Sequence, residues 1–207
     1  MRGFTLLLML IVLSLVAPAA ALAKPKPKTG GADPAATPAP DPSGAGTGGL
    51  AYGVDPDAPP RVFVEGAKAV RMPDGFAAAP QDAPVAVQNA IFAANEIVGK
   101  PYSYGGGHNR SFQSEGYDCS GTISYALHGA DLLDSPLDSG SFMRWGKAGK
   151  GDWITVYTNP GHAYVVIAGL RLDTSAAGER RSSGKGPRWR SGARSQRGYK
   201  RRHPSGY

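Results

Sequence analysis

A single change of hydrophobic period constrains the fold of this chain more than any other feature. From Val85 onward, apolar residues recur every three or four positions, which predicts a helix that ends near Gly99. A second apolar period that includes Ile123 predicts a helix that begins at or just after Cys119. Further along, short runs rich in Val, Ile and Tyr predict strands at 153–157, 163–168 and 170–173. Helices followed by an antiparallel meander indicate an α+β domain.

The regions before this pattern differ from it in composition. Residues 1–23 have a positive start, an apolar run and a final Ala-Leu-Ala, which together predict a signal peptide and an exported protein without stable membrane insertion after cleavage. Residues 24–49 are mostly Pro, Ala and Gly, and we expect a disordered linker there. Residues 50–84 form a lead-in of uncertain structure. The folded domain is predicted to span residues 85–174.

Residues 175–207 form a basic, Arg-rich tail. They contain ten Lys/Arg against the single acid Glu179, a balance of +9, whereas the whole chain carries +7. The basic character is therefore local. Aromatic residues are interleaved with the arginines, so the tail is suited to anionic polymers, with a disordered solvated segment as the alternative. Nucleic acid is a poor partner for an exported protein.

The chain has one cysteine, Cys119. An exported protein that relied on disulfides would carry an even number, so this thiol is either buried and inert or kept for its reactivity. At the start of a helix, the free N–H groups and the helix dipole would stabilise a thiolate and an oxyanion. The neighbouring Asp118 opposes a second negative charge, although its side chain can cap the helix instead.

Four histidines are candidates for the base that a catalytic thiol requires. His162 directly follows a Pro-Gly turn at the mouth of a predicted strand, and Asp173 lies on the next strand, where it can orient the imidazole. A surface histidine and a turn-forming acid are the alternatives for these two residues. His128 should point away from the thiol, since it lies about two and a half helical turns along. His108 in the glycine-rich loop and His203 in the basic tail are weaker candidates, with a solvated side chain as the alternative for each.

Four short motifs share their order with a known family. They are Pro101-Tyr102-x-Tyr104-Gly105-Gly106, Tyr117-Asp118-Cys119-Ser120-Gly121, Gly151-Asp152 and Gly161-His162. This pattern resembles the NlpC/P60 family of papain-like peptidoglycan hydrolases and covers residues 85–173. The resemblance implies a papain-like α+β fold in which N-terminal helices pack on a small antiparallel sheet.

The resemblance also implies catalytic residues. Cys119 would be the nucleophile, and His162 the general base that later acts as acid toward the leaving amine. The third residue would be Asp173, or else the neighbouring Thr174, at a position where the family most often has histidine. Its function would be to accept the Nδ1 proton of the imidazole and fix the tautomer.

Substrate contacts follow from the same resemblance. Tyr102 would line the oxyanion or substrate site, and Asp118 and Ser120 would contact the stem peptide of peptidoglycan, typically cleaved between D-glutamate and a diamino acid. No metal or organic cofactor is implied. The loop at 108–116 is longer than in the family, so we expect a reshaped cleft entrance. A non-catalytic wall-binding module, and an amidase or transpeptidase on this fold, remain as alternatives.

Overall fold

The computed structural model describes residues 58–179, 184–192 and 194–207. The predicted signal peptide at 1–23 and linker at 24–49 lie outside the described residues, as do the first eight residues of the lead-in.

The lead-in forms a small three-stranded sheet. Its strands are β1 (Phe63–Val64), β2 (Val70–Arg71) and β3 (Ala77–Pro80), arranged in the order β1-β3-β2, with β1 parallel and β2 antiparallel to β3. The central strand β3 is buried, and the side chain of Asn95 both donates to and accepts from the backbone of Ala77. These hydrogen bonds attach the lead-in to the first helix.

Three helices follow, α1 (Val85–Ile97), α2 (Cys119–His128) and α3 (Ser139–Phe142). α1 ends next to Gly99, whose φ of +96° suits glycine and breaks the helical path. α2 begins at Cys119, as predicted, because the Asp118 side chain caps it by accepting from the N–H of Gly121 at 2.7 Å.

The main sheet has six strands, all antiparallel to their neighbours. They are β4 (Lys147–Ala148), β5 (Ile154–Asn159), β6 (His162–Ile167), β7 (Leu170–Leu172), β8 (Trp189–Arg190) and β9 (Lys200–His203). The order across the sheet is β4-β9-β5-β6-β7-β8. The predicted meander is therefore confirmed in β5, β6 and β7, with boundaries shifted by one or two residues.

The helices and the sheet share one hydrophobic core, which confirms the predicted α+β class. α2 packs on α1 and on β6. Alternate residues of β6 point to the core, while the residues between them point to the other face. The sheet contributes buried residues that include Ile154, Val156, Ala163, Val165, Ile167, Leu172 and Trp189.

Part of the basic tail is integral to the sheet, so the boundary that we placed at residue 174 does not coincide with the end of the fold. β8 pairs with β7, and β9 lies between β4 and β5. Trp189 is 1% exposed, and its Nε1 donates to Oδ1 of Asn95 at 2.7 Å. Strands of two and four residues are too short to show a period, and their pairing depends on distant partners. Within the described residues, no helix is long and apolar enough to cross a membrane.

Candidate active site

The thiol of Cys119 lies at the N-terminus of α2 and is partly exposed. A helix leaves its first N–H groups without intrahelical partners, and of the N–H groups in the first turn of α2 the Asp118 side chain accepts from that of Gly121. The N–H groups of Cys119 and Ser120 are therefore directed at the end of the helix, where its dipole is positive. This position suits both a thiolate and an oxyanion.

The glycine-rich loop packs directly against the start of α2. A Cβ at Gly121 would collide with the carbonyl oxygen of Gly106, and a Cβ at Gly106 would collide with that of Gly116. The N–H of Asp118 donates to the Gly106 carbonyl at 3.3 Å, and Tyr102 forms a bridge with Tyr117. The glycines of these motifs are thus required by close backbone contact, which holds the loop beside the thiol.

His162 begins β6 and lies next to both other members of the predicted triad. Its Nε2 lies 2.9 Å from Oδ1 of Asp173, and its imidazole is close enough to Cys119 for their interaction to affect the pKa of His162. Asn159 fixes the turn before it by accepting from the backbone N–H of Gly161 and of His162. Burial opposes protonation of the imidazole, but the hydrogen bonds and charges of Asp173 and Cys119 outweigh it and raise the pKa of His162 to about 9.

The nitrogen that faces the carboxylate differs from our expectation. We predicted Nδ1, but the ring presents Nε2 to Asp173. The reason is geometric: with β6 and β7 adjacent, the far nitrogen of the ring reaches the carboxylate on the neighbouring strand. Nδ1 is consequently the nitrogen left for the thiol of Cys119.

Asp173, the predicted third residue, is fully buried and held from several sides. Its Oδ2 accepts from Nη1 of Arg171 at 2.8 Å and from Nη1 of Arg194 at 3.0 Å, while the N–H of Ser175 donates to Oδ1 at 2.9 Å. Burial alone would raise the pKa of Asp173, but these partners and His162 lower it below its ordinary value. The alternative third residue, Thr174, is also buried, and its carbonyl accepts from the N–H of Gly186.

Arg194 and Tyr199, both in the basic tail, contact Asp173 and His162 respectively. The sequence analysis assigned neither residue to the site. Arg194 packs against the rings of both Tyr164 and Tyr199, with its Cζ 5.3 and 5.5 Å from their centroids. Its Nη2 also donates to the Tyr199 hydroxyl at 2.8 Å, and the Tyr199 ring stands edge-on to His162. A local pattern does not reveal these contacts, because the tail returns to β6 only in the tertiary structure.

His108 is the other residue that sequence reasoning undervalued. A solvated side chain was the alternative for it, but its Nε2 lies 3.0 Å from Oδ1 of Asp118 and 3.3 Å from Oγ of Ser120. The hydrogen bond from Asp118 raises the pKa of His108 despite partial burial. The carboxylate of Asp118 is thus engaged inside the protein, since the N–H of Gly105 donates to its other oxygen at 3.0 Å.

The remaining histidines are structural. His128 stacks on Phe112 with ring centroids 4.0 Å apart and donates from Nδ1 to the carbonyl of Leu133. His203 lies on β9, where Nδ1 faces the carbonyl of Gly149 at 3.3 Å. Phe112 is 1% exposed, so the ring contact with His128 anchors the middle of the loop at 108–116.

An open cleft of about 370 Å³ lies beside Cys119. Tyr102 is 42% exposed and forms part of its wall, and its contact with an oxyanion or a substrate stays a prediction. Asp118 and Ser120 also line the cleft. Among the described residues, no group of three or more His, Cys, Asp or Glu is arranged to hold a metal ion. The thiol of Cys119 and the start of α2 therefore open onto the cleft, while His162 and Asp173 lie outside its described lining.

Comparison with known proteins finds similarity among solved structures only. No family model matches the chain, and no curated protein matches it. The peptidoglycan hydrolase RipB from Mycobacterium tuberculosis is 26% identical, with a TM-score of 0.46 over 59% of this chain and 66% of that one. By name it belongs to the class of protein that the sequence motifs resemble.

Two further solved structures are similar to the chain. The resuscitation promoting factor interacting protein RipA, in a mutated form, is 22% identical with a TM-score of 0.40, and a hypothetical invasion protein of M. tuberculosis is 23% identical with a TM-score of 0.41. Each likeness covers 57% of this chain and 62% of the other, so the chain spans less than two thirds of these structures. TM-scores below 0.5 do not support an argument about function. The description of the site therefore depends on the distances and hydrogen bonds within this chain.

Proposed function

We propose that this chain is a secreted cysteine peptidase that hydrolyses amide bonds in the stem peptides of peptidoglycan and so remodels the cell wall. The observation that carries the proposal is the position of His162, whose Nε2 lies 2.9 Å from the buried Asp173 and whose imidazole is close enough to Cys119 for their interaction to raise its pKa. This is the arrangement of a nucleophile, a base and an orienting group.

In the proposed first step, the Cys119 sulfur attacks the carbonyl carbon of the scissile amide as a thiolate. A protonated His162 beside the sulfur stabilises that anion, and the N–H groups of Cys119 and Ser120 stabilise the oxyanion that forms. The C–N bond breaks when Nδ1 of His162 gives its proton to the leaving amine. The product of this half-reaction is a thioester on Cys119.

In the second step, water replaces the amine. His162, now neutral, takes a proton from the water as the oxygen attacks the thioester carbonyl, and the thiolate leaves as the carboxylic acid product is released. Asp173 stays ionised throughout, holds the Nε2 proton and keeps the ring in the reactive tautomer. The pair of arginines on its Oδ2 favours the ionised form.

For the substrate, we infer the bond between D-glutamate and a diamino acid on the strength of the motif resemblance. Tyr102 and Ser120 are available on the cleft wall to contact the stem peptide, while Asp118 and His108 position Ser120. The Ala-Leu-Ala pattern at the end of residues 1–23 supports export to the wall. Anionic wall polymers are proposed as further partners of the basic tail.

The test is digestion of purified peptidoglycan by the mature protein and by its Cys119→Ala variant, with soluble fragments identified by mass spectrometry. We expect fragments from the wild type alone, with new termini that identify the bond as D-glutamyl–diamino acid. Equal thermal stability of the two proteins would exclude misfolding of the variant. If neither protein releases fragments but both sediment with peptidoglycan, the chain is a binding module. Fragments ending at another amide would assign an amidase.

Because Cys119 is the only cysteine, alkylation reports on the site independently of the substrate. Modification by iodoacetamide at pH 6 should be faster in the wild type than in a His162→Gln variant, since the imidazolium stabilises the reactive thiolate. A His203→Gln variant is the matched control, because His203 lies on β9 with Nδ1 directed at Gly149. Equal rates in all three proteins would contradict the proposed pairing of Cys119 with His162.

A further inference from the structure

Three arginines line a second cavity, about 260 Å³ in volume, on the side of Asp173 away from His162. Arg171, Arg190 and Arg194 contribute to its wall, together with Ser191 and Gln196. None of the described lining residues is acidic. Strand alternation places Arg171 on the same face of the sheet as His162 and Asp173, the face that points away from the helical core.

The charges around this cavity do not balance. Arg171 and Arg194 share one carboxylate oxygen, Oδ2 of Asp173, and Arg190 pairs with Glu179 at 2.8 Å. The strand register also sets Arg171 directly opposite Arg190, although both side chains are buried. Like charges at opposing positions of neighbouring strands destabilise a sheet. Among the described residues, three guanidinium groups therefore meet two carboxylates, and Arg190 also donates to the carbonyls of Asp173 and Gly184.

Arg171 shows the imbalance most directly. Arg171 is 5% exposed. Within the described part of the chain, its Nε and Nη2 have no hydrogen-bond partner. Buried polar groups are almost always paired, and an unpaired buried charge is more costly than an unpaired neutral group. Only Nη1 is satisfied, by Asp173 and by the carbonyl of Ala177. Both atoms are closed off from solvent, so a bound anion would supply the acceptors that they lack after the Arg171 guanidinium turns toward the cavity.

We propose that Arg171, Arg190 and Arg194 form a binding site for a phosphate group, separate from the peptidase cleft. Guanidinium forks match the oxygens of phosphate, and a phosphate offers enough acceptors for more than one fork at once. The cavity accommodates one such group with a short substituent. The group is therefore either free inorganic phosphate or the phosphate of a wall polymer.

The site is coupled to the peptidase cleft through a shared pair of side chains. Arg171 and Arg194 hold Asp173, which in turn contacts His162. A phosphate that competes for the two guanidinium groups would weaken their hold on Asp173. The ligand is therefore expected to change activity from a distance, as a coupling between two sites.

The test is thermal unfolding of the mature protein against increasing inorganic phosphate, with chloride adjusted to constant ionic strength. We expect the unfolding midpoint to rise with the logarithm of the phosphate concentration and to be about 5–10 °C higher at phosphate 100-fold above its Kd. A Ser191→Asp variant places a carboxylate in the cavity wall, so it should be more stable without phosphate and should lose the phosphate response. Ser195→Asp, an exposed residue outside the cavity lining, makes the same charge change and should keep it.

Other outcomes distinguish the source of the phosphate and would overturn the proposal. If glycerol phosphate raises the unfolding midpoint as much as inorganic phosphate does, the phosphate group alone is bound. A larger rise with glycerol phosphate favours a wall polymer as the source. No rise above the chloride control, or a rise that Ser191→Asp retains, contradicts the site. The unfolding midpoint can be measured without hydrolysis of peptidoglycan. Failure of the phosphate site is therefore distinguishable from failure of the proposed peptidase activity.

Discussion

Nε2 of His162 lies 2.9 Å from Oδ1 of Asp173, a carboxylate that is completely withdrawn from solvent. Few surface histidines have such a partner, and the contact leaves the other ring nitrogen for Cys119. The same carboxylate receives two arginines on its opposite oxygen. The orientation of the imidazole thus depends on residues from β7 and from the basic tail.

Replacing Asp173 by asparagine should lower kcat by about 10²–10⁴-fold, because the amide does not stabilise the imidazolium that donates to the leaving amine. The alkaline limb of kcat/KM, expected near pH 9 from the pKa of His162, should move to lower pH. Measurement requires the pH profile of peptidoglycan hydrolysis by both proteins. Thr174→Val is the matched control and should keep the wild-type profile. If Thr174→Val instead abolishes activity while Asp173→Asn does not, the third residue is misassigned.

Stability should depend on pH through His162. Its pKa is raised from 6.5 to about 9 in the folded protein, so folding favours the protonated ring. The resulting stabilisation is fully present below about pH 6.5 and is lost as the pH rises through about 9. Urea unfolding at pH 6 and pH 10 should therefore show a wild-type advantage over His162→Gln that shrinks with rising pH. An advantage that stays constant between these pH values would contradict the raised pKa.

Arg194 should act as a positioning residue. Arg194→Met removes one charged hydrogen bond to Asp173 and the bond to Tyr199, which should cost about 1.5–3 kcal/mol of stability and lower kcat by about 10-fold with little change in KM. Arg194→Lys should recover part of kcat, since its charge remains. Arg197→Met, an exposed neighbour, serves as the control. A change confined to KM would indicate direct substrate contact instead.

Trp189 should be essential for stability although it lies in the basic tail. Trp189→Ala removes a fully buried ring and should lower the free energy of unfolding by about 3–5 kcal/mol. Trp189→Phe keeps most of the ring but loses the donor to Asn95, so we expect a loss of about 1–3 kcal/mol. Urea unfolding of both variants measures the two contributions. A wild-type midpoint for Trp189→Ala would show that the tail does not pack on α1.

Much of the site could be predicted because its parts lie in local patterns. The apolar period after Cys119 indicated a helix, and the strand runs on either side of Gly169 indicated neighbouring strands, as observed in α2, β6 and β7. The ring nitrogen that faces Asp173 could not be predicted, since it depends on the distance between two strands in space. The contact between His108 and Asp118 could not be predicted either, because it forms only when the loop of His108 folds back onto the cap of α2.

The amino-acid sequence by itself determined the α+β order of elements and the helix that begins at the thiol. These features arise from hydrophobic period and capping, which act over a few residues. Only the tertiary structure decided that the described part of the basic tail belongs to the sheet and surrounds Asp173. The composition of the tail predicts solvated arginines, but the pairing of β8 with β7 brings Arg190 to Glu179, and Arg194 contacts the buried Asp173. Such long-range pairing leaves no local signal.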